Sequence, residues 1–302
     1  MRFSLWTNLS QPWADAVEVV RHAEATGWDG VYVADHFMAD AGGPFPADQP
    51  MFEATAALSA LAALTERVRL AALVFGITYR HPAVLAKWAA TTDHISDGRL
   101  LLGVGAGWQE NEHEQYGIRL GPPGERVTRF EEALRILRGL LDEATTTVEG
   151  EHYLVRDAIA FPKPVQERLP ILVGAKGPRM LGVAARHADE WNMWSLPPEL
   201  AAKRAELDRA CEANDRDPAT IATSTQALVV VLDSNDEADT WLEMLKARPC
   251  VAGTPDRIAE SVAAWQEAGV DELIVPDFTL GTGAQRAEAL DKLIEQVAPH
   301  FR

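Results

Sequence analysis

The chain has 302 residues, 47% of them hydrophobic and 24% charged, the balance of a folded globular protein rather than a disordered one. Its 28 basic residues face 45 acidic ones, and a net charge of −17 lacks the basic footprint of a nucleic-acid or anionic-membrane binder. No run of 18 apolar residues occurs, the N-terminus reads as a strand and not as a secretory signal, and Cys211 and Cys250 stand in no metal or redox motif, so a reduced cytoplasm is the expected location.

Short apolar runs alternate along the chain with longer stretches of helical spacing. Residues 3–7 read as a first strand, followed by a helix over 13–26 that Gly27 closes. A second strand covers 31–37, a helix 52–64 and a third strand 68–75. Pro82 opens a helix that runs to residue 96, and strand four, 100–104, ends in glycines. Val127, Phe130, Leu134, Leu137 and Leu141, spaced 3, 4, 3 and 4 apart, define one buried face of the next helix. Strand five (171–173) precedes a helix over 178–187, strand six (191–194) precedes one over 200–214, and strand seven is read at 227–232. Two helical stretches follow, the second capped by Thr254-Pro255 and closed by Gly269. Strand eight (273–276) and a helix carrying Leu290, Leu293, Ile294 and Val297 complete the chain.

Eight strand–helix units predict a (β/α)8 TIM barrel, taken as one domain over 1–302. A doubly wound open sheet would place a glycine-rich phosphate fingerprint after its first strand, and the turn Asn8-Leu9-Ser10-Gln11-Pro12 has no glycine. The segment 145–165 breaks the rhythm. Thr146-Thr147-Val148 and Tyr153-Leu154-Val155 flank Glu149-Gly150-Glu151, a hairpin-like excursion inserted before strand five.

A barrel of this kind carries its chemistry at the carboxyl ends of its strands. Asp35-His36 follows strand two: a histidine there can exchange protons and an aspartate can orient it, although neighbours on a strand point to opposite faces. Position alone also allows a structural histidine bonded to loop backbone. Gly103-Val104-Gly105-Ala106-Gly107 is GxGxG and not the dinucleotide GxGxxG, because Trp108 occupies the last position. It serves either a tight turn or the close approach of a flat ring. Gly174-Ala175-Lys176-Gly177-Pro178-Arg179 follows a strand and opens a helix, where free N–H groups and the helix dipole favour an anion, with Lys176 and Arg179 as local cations in an acidic chain. The alternative is a solvated loop whose cations balance nearby acids. Glu110, Glu112 and Glu114 around His113 read as a solvated helix start and not as a metal site. Trp88, Trp241 and Trp265 read as packing residues.

Taken together, several stretches resemble the luciferase-like monooxygenase superfamily, in particular its branch of oxidoreductases that use the deazaflavin coenzyme F420. They are Ala34-Asp35-His36-Phe37, Tyr79-Arg80-His81-Pro82-Ala83-Val84-Leu85-Ala86-Lys87, Ser96-Asp97-Gly98-Arg99-Leu100 running into Gly103 to Trp108, Glu112, Tyr116-Gly117, Val173 to Arg179, and Ala184-Ala185-Arg186-His187-Ala188-Asp189-Glu190-Trp191. The likeness runs from Phe3 to about Trp194 and then weakens to strand–helix rhythm. It implies a barrel with insertions that binds F420 or reduced FMN at the carboxyl ends of its strands. It implies that Gly174, Ala175, Lys176, Gly177 and Pro178, with Arg179 after them, hold the cofactor phosphate. Gly105, Ala106 and Gly107, with Trp108, would line the ring or its side chain. A bulge with a non-prolyl cis peptide, by position Leu73-Val74, would press on the ring. His36 matches the catalytic base of the deazaflavin alcohol and sugar-phosphate dehydrogenases, and Asp35 the residue beside it. Two departures matter: Trp108 stands where the sugar-phosphate branch has a Glu, which disfavours sugar-phosphate oxidation, and Met38-Ala39-Asp40 replaces the aromatic that usually follows the Asp-His pair.

The expectation is therefore an F420-dependent oxidoreductase moving a hydride to or from a small organic substrate, with His36 exchanging the proton. The rivals are an FMNH2-dependent monooxygenase of the same superfamily and a non-catalytic flavin-binding protein. The resemblance also implies a homodimer. The segments 40–51 and 270–283 would shape the substrate pocket, the first of them read as a lid.

Overall fold

The computed structural model describes residues 1–41, 46 and 48–302, so the expected lid at 40–51 lies partly outside the described residues. Eight parallel strands form the barrel: β1 (Arg2–Trp6), β2 (Gly30–Val33), β3 (Arg69–Ala72), β4 (Leu100–Gly105), β5 (Ile171–Gly174), β6 (Glu190–Trp194), β7 (Ala222–Gln226) and β8 (Glu272–Pro276). Each pairs with its sequence neighbours, and β1 pairs with β8 from Arg2–Glu272 to Trp6–Pro276, which closes the ring. After β3 the chain kinks through a cis Leu73–Val74 peptide, then re-pairs with β4 through Phe75–Gly76.

The helices follow the predicted order: α1 (Trp13–Thr26), α2 (Ala54–Leu64), α3 (Pro82–Ser96), α4 (Glu110–Gln115), α5 (Pro123–Asp142), α6 (Pro178–His187), α7 (Pro197–Glu212), α8 (Ala238–Met244), α9 (Pro255–Glu267) and α10 (Gly283–Lys292). The period-2 alternation of each strand divides its side chains between two cores. Phe3, Leu5, Val31, Val33, Leu70, Leu102 and Val173 belong to the large core between strands and helices. Tyr32, Ala71, Leu101, Leu172 and Ile274 form a second cluster, the inside of the barrel, with Trp6 and Val74 packed on it. The hairpin inserted before β5 is present, as antiparallel strands Thr146–Glu149 and Leu154–Ala158.

Strand seven corrects the sequence reading. The barrel strand is Ala222–Gln226, and Leu228–Val231 beyond it pairs in parallel with Cys250–Gly253 as a separate two-stranded sheet. The cause is the polar character of the buried strand: Ser224 Oγ accepts from Asn192 Nδ2 at 3.0 Å and Thr225 Oγ1 donates to Met193 O at 2.8 Å. Hydroxyls satisfied by neighbouring strands leave β7 without an apolar pattern, and the apolar run after it drew the strand assignment. Thr254 also stands at the start of α9 without a side-chain cap bond.

The lower barrel interior is ionic. Glu272 accepts from Arg2 Nε at 2.8 Å, Arg69 Nη1 at 3.0 Å, the Tyr32 hydroxyl at 3.0 Å and Ser4 Oγ. Glu190 beside it has only longer contacts, 3.4 Å to Arg2 and 3.6 Å to Arg69, and its Oε1 has no partner. This plug seals the amino-terminal end of the barrel and leaves the carboxyl end for chemistry.

Candidate functional site

The end of β2 places Asp35 and His36 on opposite sides, as adjacent residues on extended backbone must be. Asp35 turns away from His36 into the barrel wall. Arg80 grips it with two bonds, 2.7 Å and 2.8 Å, and its Oδ2 accepts the Gly76 N–H at 3.0 Å. Burial pushes the Asp35 carboxyl up, and the Arg80 bonds and charge oppose that. Arg80 also pairs with Glu53 and lies over the Phe75 ring at 5.4 Å. Among the described residues Asp35 makes no hydrogen bond to His36, so any orienting of the site by Asp35 runs through Arg80 and the Gly76 amide. Asp35 instead ties the end of β2 to the segment that follows the bulge.

His36 finds its partner elsewhere. Its Nδ1 lies 2.8 Å from Glu112 Oε1, and Glu112 also accepts the Phe37 N–H at 2.8 Å and the Tyr79 hydroxyl. The Glu112 side chain is fully buried and that of His36 is 24% exposed. Burial alone would raise the Glu112 carboxyl, but His36, Tyr79 and the Phe37 amide outweigh it and hold it below the usual carboxylate range. An ionised carboxylate can only accept, so Nδ1 carries a proton and Nε2 is the ring atom left to exchange one. Among the described residues Nε2 has no hydrogen-bond partner. Burial and Glu112 push the Tyr79 hydroxyl upward, so it stays a donor, and its ring stacks on His113 at 4.7 Å.

These contacts overturn the reading of α4 as a solvated start. Glu112 and His113 are both buried, and His113 bonds Gln109 O at 2.6 Å and Thr78 Oγ1 at 2.8 Å. Alternating acids on a six-residue helix look solvated when the other side of the helix is invisible. Glu112 did stand among the quoted motif residues, the only signal that could have found it. Among the described residues no group of three or more His, Cys, Asp or Glu is arranged to hold a metal.

The turn after β4 brings Trp108 edge-on to His36, 5.5 Å between ring centroids, with Trp108 itself 54% exposed. The glycines before it serve the protein's own packing. A Cβ on Gly105 would stand 2.6 Å from Val74 Cγ2, so Gly105 makes room for the cis-peptide bulge. Gly107 has φ +82° with Thr78 Oγ1 2.7 Å from where a Cβ would be, a doubly glycine-specific position. Val74 thus projects into the upper barrel beside Gly105 and Gly174, where the resemblance put Leu73-Val74. Ala106 is half-buried against the outer core.

At β5, Ala175 N–H donates to Asn192 O at 3.1 Å and Ala175 O accepts from Trp191 Nε1 at 2.8 Å, which fixes the entry to α6. Gly177 starts that helix with no side-chain cap and open space around its Cα, and Pro178 takes the first helical position. The first N–H groups of α6 therefore lack both intrahelical and side-chain acceptors. The two expected cations are engaged elsewhere. Lys176 Nζ lies 2.6 Å from Glu199, both exposed. Arg179 donates to Gly124 O and Thr128 Oγ1, each at 2.7 Å, fastening α6 to the start of α5.

Other mouth residues were not named as site residues from the sequence, although Asp277 and Phe278 fall in the segment 270–283 expected to shape the pocket and Trp194 ends strand six. Trp6, Trp194 and Phe278 form an aromatic group with centroids 5.5 and 5.3 Å apart. Asp277, after β8, bonds Thr7 Oγ1, the Asn8 N–H and Arg286, each at 3.1 Å, and burial pushes its carboxyl up to about 6.

Residues 1–249 match the model of a family described as luciferase-like monooxygenase. The chain is 34% identical over 213 residues to an uncharacterized protein of Mycobacterium tuberculosis, covering 70% of this chain and 72% of that one. It is 30% identical over 317 residues to an F420-dependent glucose-6-phosphate dehydrogenase of Beutenbergia cavernae, covering 93% and 91% of the two chains. Among solved structures, an F420-dependent secondary alcohol dehydrogenase in complex with an F420-acetone adduct superimposes with a TM-score of 0.87 at 19% identity, over 100% of this chain and 99% of that one. A monooxygenase from Streptomyces bottropensis superimposes at 0.82 with 21% identity over the whole of both chains.

Proposed function

The chain belongs to the luciferase-like monooxygenase family, and from that premise we propose that it is an F420-dependent oxidoreductase acting on a small organic alcohol or carbonyl compound. The observation that carries the reading is His36, whose Nδ1 is held by the buried Glu112 so that Nε2 is the ring atom left for proton exchange at the barrel mouth. F420-dependent relatives at 30% identity along nearly the whole chain support the choice of cofactor.

The residues present fit such a group. The uncapped start of α6, with open space at Gly177, offers the backbone N–H groups of Lys176, Gly177, Arg179 and Met180 to a phosphate seated against the turn Gly174, Ala175, Lys176, Gly177 and Pro178. Leu73, Val74, Gly105, Ala106, Gly107 and Trp108 would flank a planar ring. When bound, the deazaflavin supplies the two-electron hydride exchange with the substrate carbon. The protein's share is the proton: His36 Nε2 takes it from a substrate hydroxyl in oxidation, or returns it to a carbonyl oxygen in reduction. Glu112 stabilises the resulting imidazolium, and Tyr79 and the Phe37 amide keep Glu112 in place. Trp108, edge-on to His36, stands where the sugar-phosphate branch has a Glu, which disfavours a sugar phosphate as the substrate. The reading takes the whole chain as one catalytic domain, supported by the pairing of β1 with β8 and by Met1 N bonding Phe301 O at 2.6 Å, and takes it to work as a homodimer.

Titrating F420 and FMN by fluorescence tests the cofactor. Micromolar F420 binding is expected. Micromolar FMN binding with no F420 binding would reject the reading, and substrate-dependent oxygen uptake with reduced FMN would then make it a monooxygenase.

A further inference from the structure

We infer that the substrate is uncharged and largely hydrophobic, with a single carbonyl or hydroxyl oxygen as its polar handle. The inference rests on the oxidoreductase reading for the existence of a substrate, but its argument comes from the charges and surfaces of the barrel mouth.

Among the described residues, the charged side chains within three residues of the strands' carboxyl ends are Asp35, His36, Lys176 and Asp277, and Asp40 a little further on adds only another acid. Each of those near the strand ends is already matched within the protein. Asp35 is closed by Arg80, and Asp277 by Arg286, both pairs largely buried. Lys176 faces Glu199, and His36 is held by Glu112. A substrate carboxylate or phosphate in the mouth would have to break one of these pairs: for Asp35–Arg80 and Asp277–Arg286 that strands a buried charge, while exposed Lys176 stands at the turn given to the cofactor phosphate. Just beyond the strand ends, Arg248 has no ion pair among the described residues, but its guanidinium rests on the Trp194 ring at 5.2 Å.

The surfaces agree with the charges. Trp6 and Val74 pack on the inner barrel cluster as a floor. Trp108, Leu196 and Phe278 are exposed to 54, 42 and 41%, and the ring of Trp194 joins them at the rim. Large apolar side chains left open at the end of a barrel, beside a histidine whose Nε2 has no partner among the described residues, mark a site for apolar contact. The unmatched polar atoms there are few. Trp6 Nε1 is a buried donor without a partner and Gln226 Oε1 a buried acceptor without one, in a residue 7% exposed. Both belong to the inward-facing set of their strands, as Ser4 and Ser224 do two residues earlier. One donor and one acceptor suit a neutral oxygen function and cannot neutralise an anion.

The test uses methyl ketones from 2-butanone to 2-octanone and, as the charged match, 7-oxooctanoate. Binding is followed by tryptophan fluorescence in cofactor-free and F420-loaded protein, with F420 binding measured on the same samples by the cofactor's own fluorescence. Affinity should rise about fourfold per added methylene, the value of full apolar burial. The octanone should bind at least tenfold more tightly than the keto acid, and Phe278→Ala should weaken the octanone more than the butanone. A flat series, no binding of any ketone, or a keto acid that binds as tightly as the octanone would overturn the inference. If the keto acid also lost its affinity in Arg248→Gln, the mouth would be an anion site built on Arg248. Loss of F420 binding with the ketone series intact would sink the cofactor reading and leave this one standing. The reverse result would sink only this one.

Discussion

Replacing Glu190 by Gln should stabilise the protein at alkaline pH and leave it nearly unchanged in acid. Glu190 is buried inside the barrel beside Glu272, which already takes the short bonds from Arg2 and Arg69. Burial first, and the neighbouring Glu272 second, push the Glu190 carboxyl up to about 7 from its ordinary 4.5. The folded chain therefore holds this proton to higher pH than the unfolded chain. The corresponding stability is fully present below about pH 4.5 and is lost as pH rises through 7. At 1.36 kcal/mol per pKa unit, the loss by pH 8.5 is ~3 kcal/mol. Gln keeps the shape and carries no charge to ionise, so it avoids that loss. For a chain of this size, ~2 °C per kcal/mol translates it into a Tm advantage of roughly 6 °C. The assay is thermal unfolding of both proteins from pH 5 to 8.5, read as the difference in Tm. A difference independent of pH, or one that favours the wild type at pH 8.5, would refute the reasoning, because Arg2 and Arg69 would then hold Glu190 ionised at little cost.

Three further outcomes follow from the mouth geometry. Glu112→Gln removes a charge-assisted bond to His36, worth about 1.5–3 kcal/mol, so kcat/KM should fall ~10- to 150-fold in steady-state kinetics while F420 affinity stays within about threefold. His36→Ala should abolish turnover and retain F420 binding in a fluorescence titration; unchanged turnover would remove His36 from the mechanism. Arg80→Met leaves the Asp35 carboxylate buried without its partner, and denaturant unfolding should show a loss of about 3–5 kcal/mol.

What could be read from the sequence was what local chemistry dictates. Pro82 and Pro178 opened helices at the residues expected, because proline at a first turn is a rule of the backbone alone. The inserted hairpin was legible from two short β-rich runs around a glycine turn. The misreadings share one cause, the interior of the barrel. Ser224 on β7 and Glu272 in the ionic plug are buried because partners on distant strands satisfy them, while Gln226 and Glu190 are buried with one oxygen each left unpartnered. Glu112 holds His36, the contact expected of Asp35, and Asp35 is buried against Arg80 instead. The partner of Asp35 lies 45 residues away and that of His36 lies 76 residues away, and no periodicity connects them. The resemblance supplied the mouth residues that local pattern could not, but it assigned Gly105 to the ligand, where the chain first uses it for Val74.

The net charge of −17 bears on how an anionic cofactor binds at all. Lys176 and Arg179 were the sequence's answer, and both are engaged, one with Glu199 and the other with the start of α5. The α6 backbone amides remain, and they act by short hydrogen bonds and a local dipole that falls off within a turn. Long-range repulsion from the acidic chain is screened by salt, with a Debye length near 10 Å at 0.1 M and about 3 Å at 1 M. The short amide bonds are screened far less. F420 affinity should therefore hold steady or tighten as salt rises from 50 to 500 mM, and Lys176→Ala should weaken it by no more than about fivefold, in line with an exposed ion pair. An affinity that falls tenfold or more over the same range would mean that Lys176 leaves Glu199 for the ligand, and would restore the cations as the anchor of the cofactor.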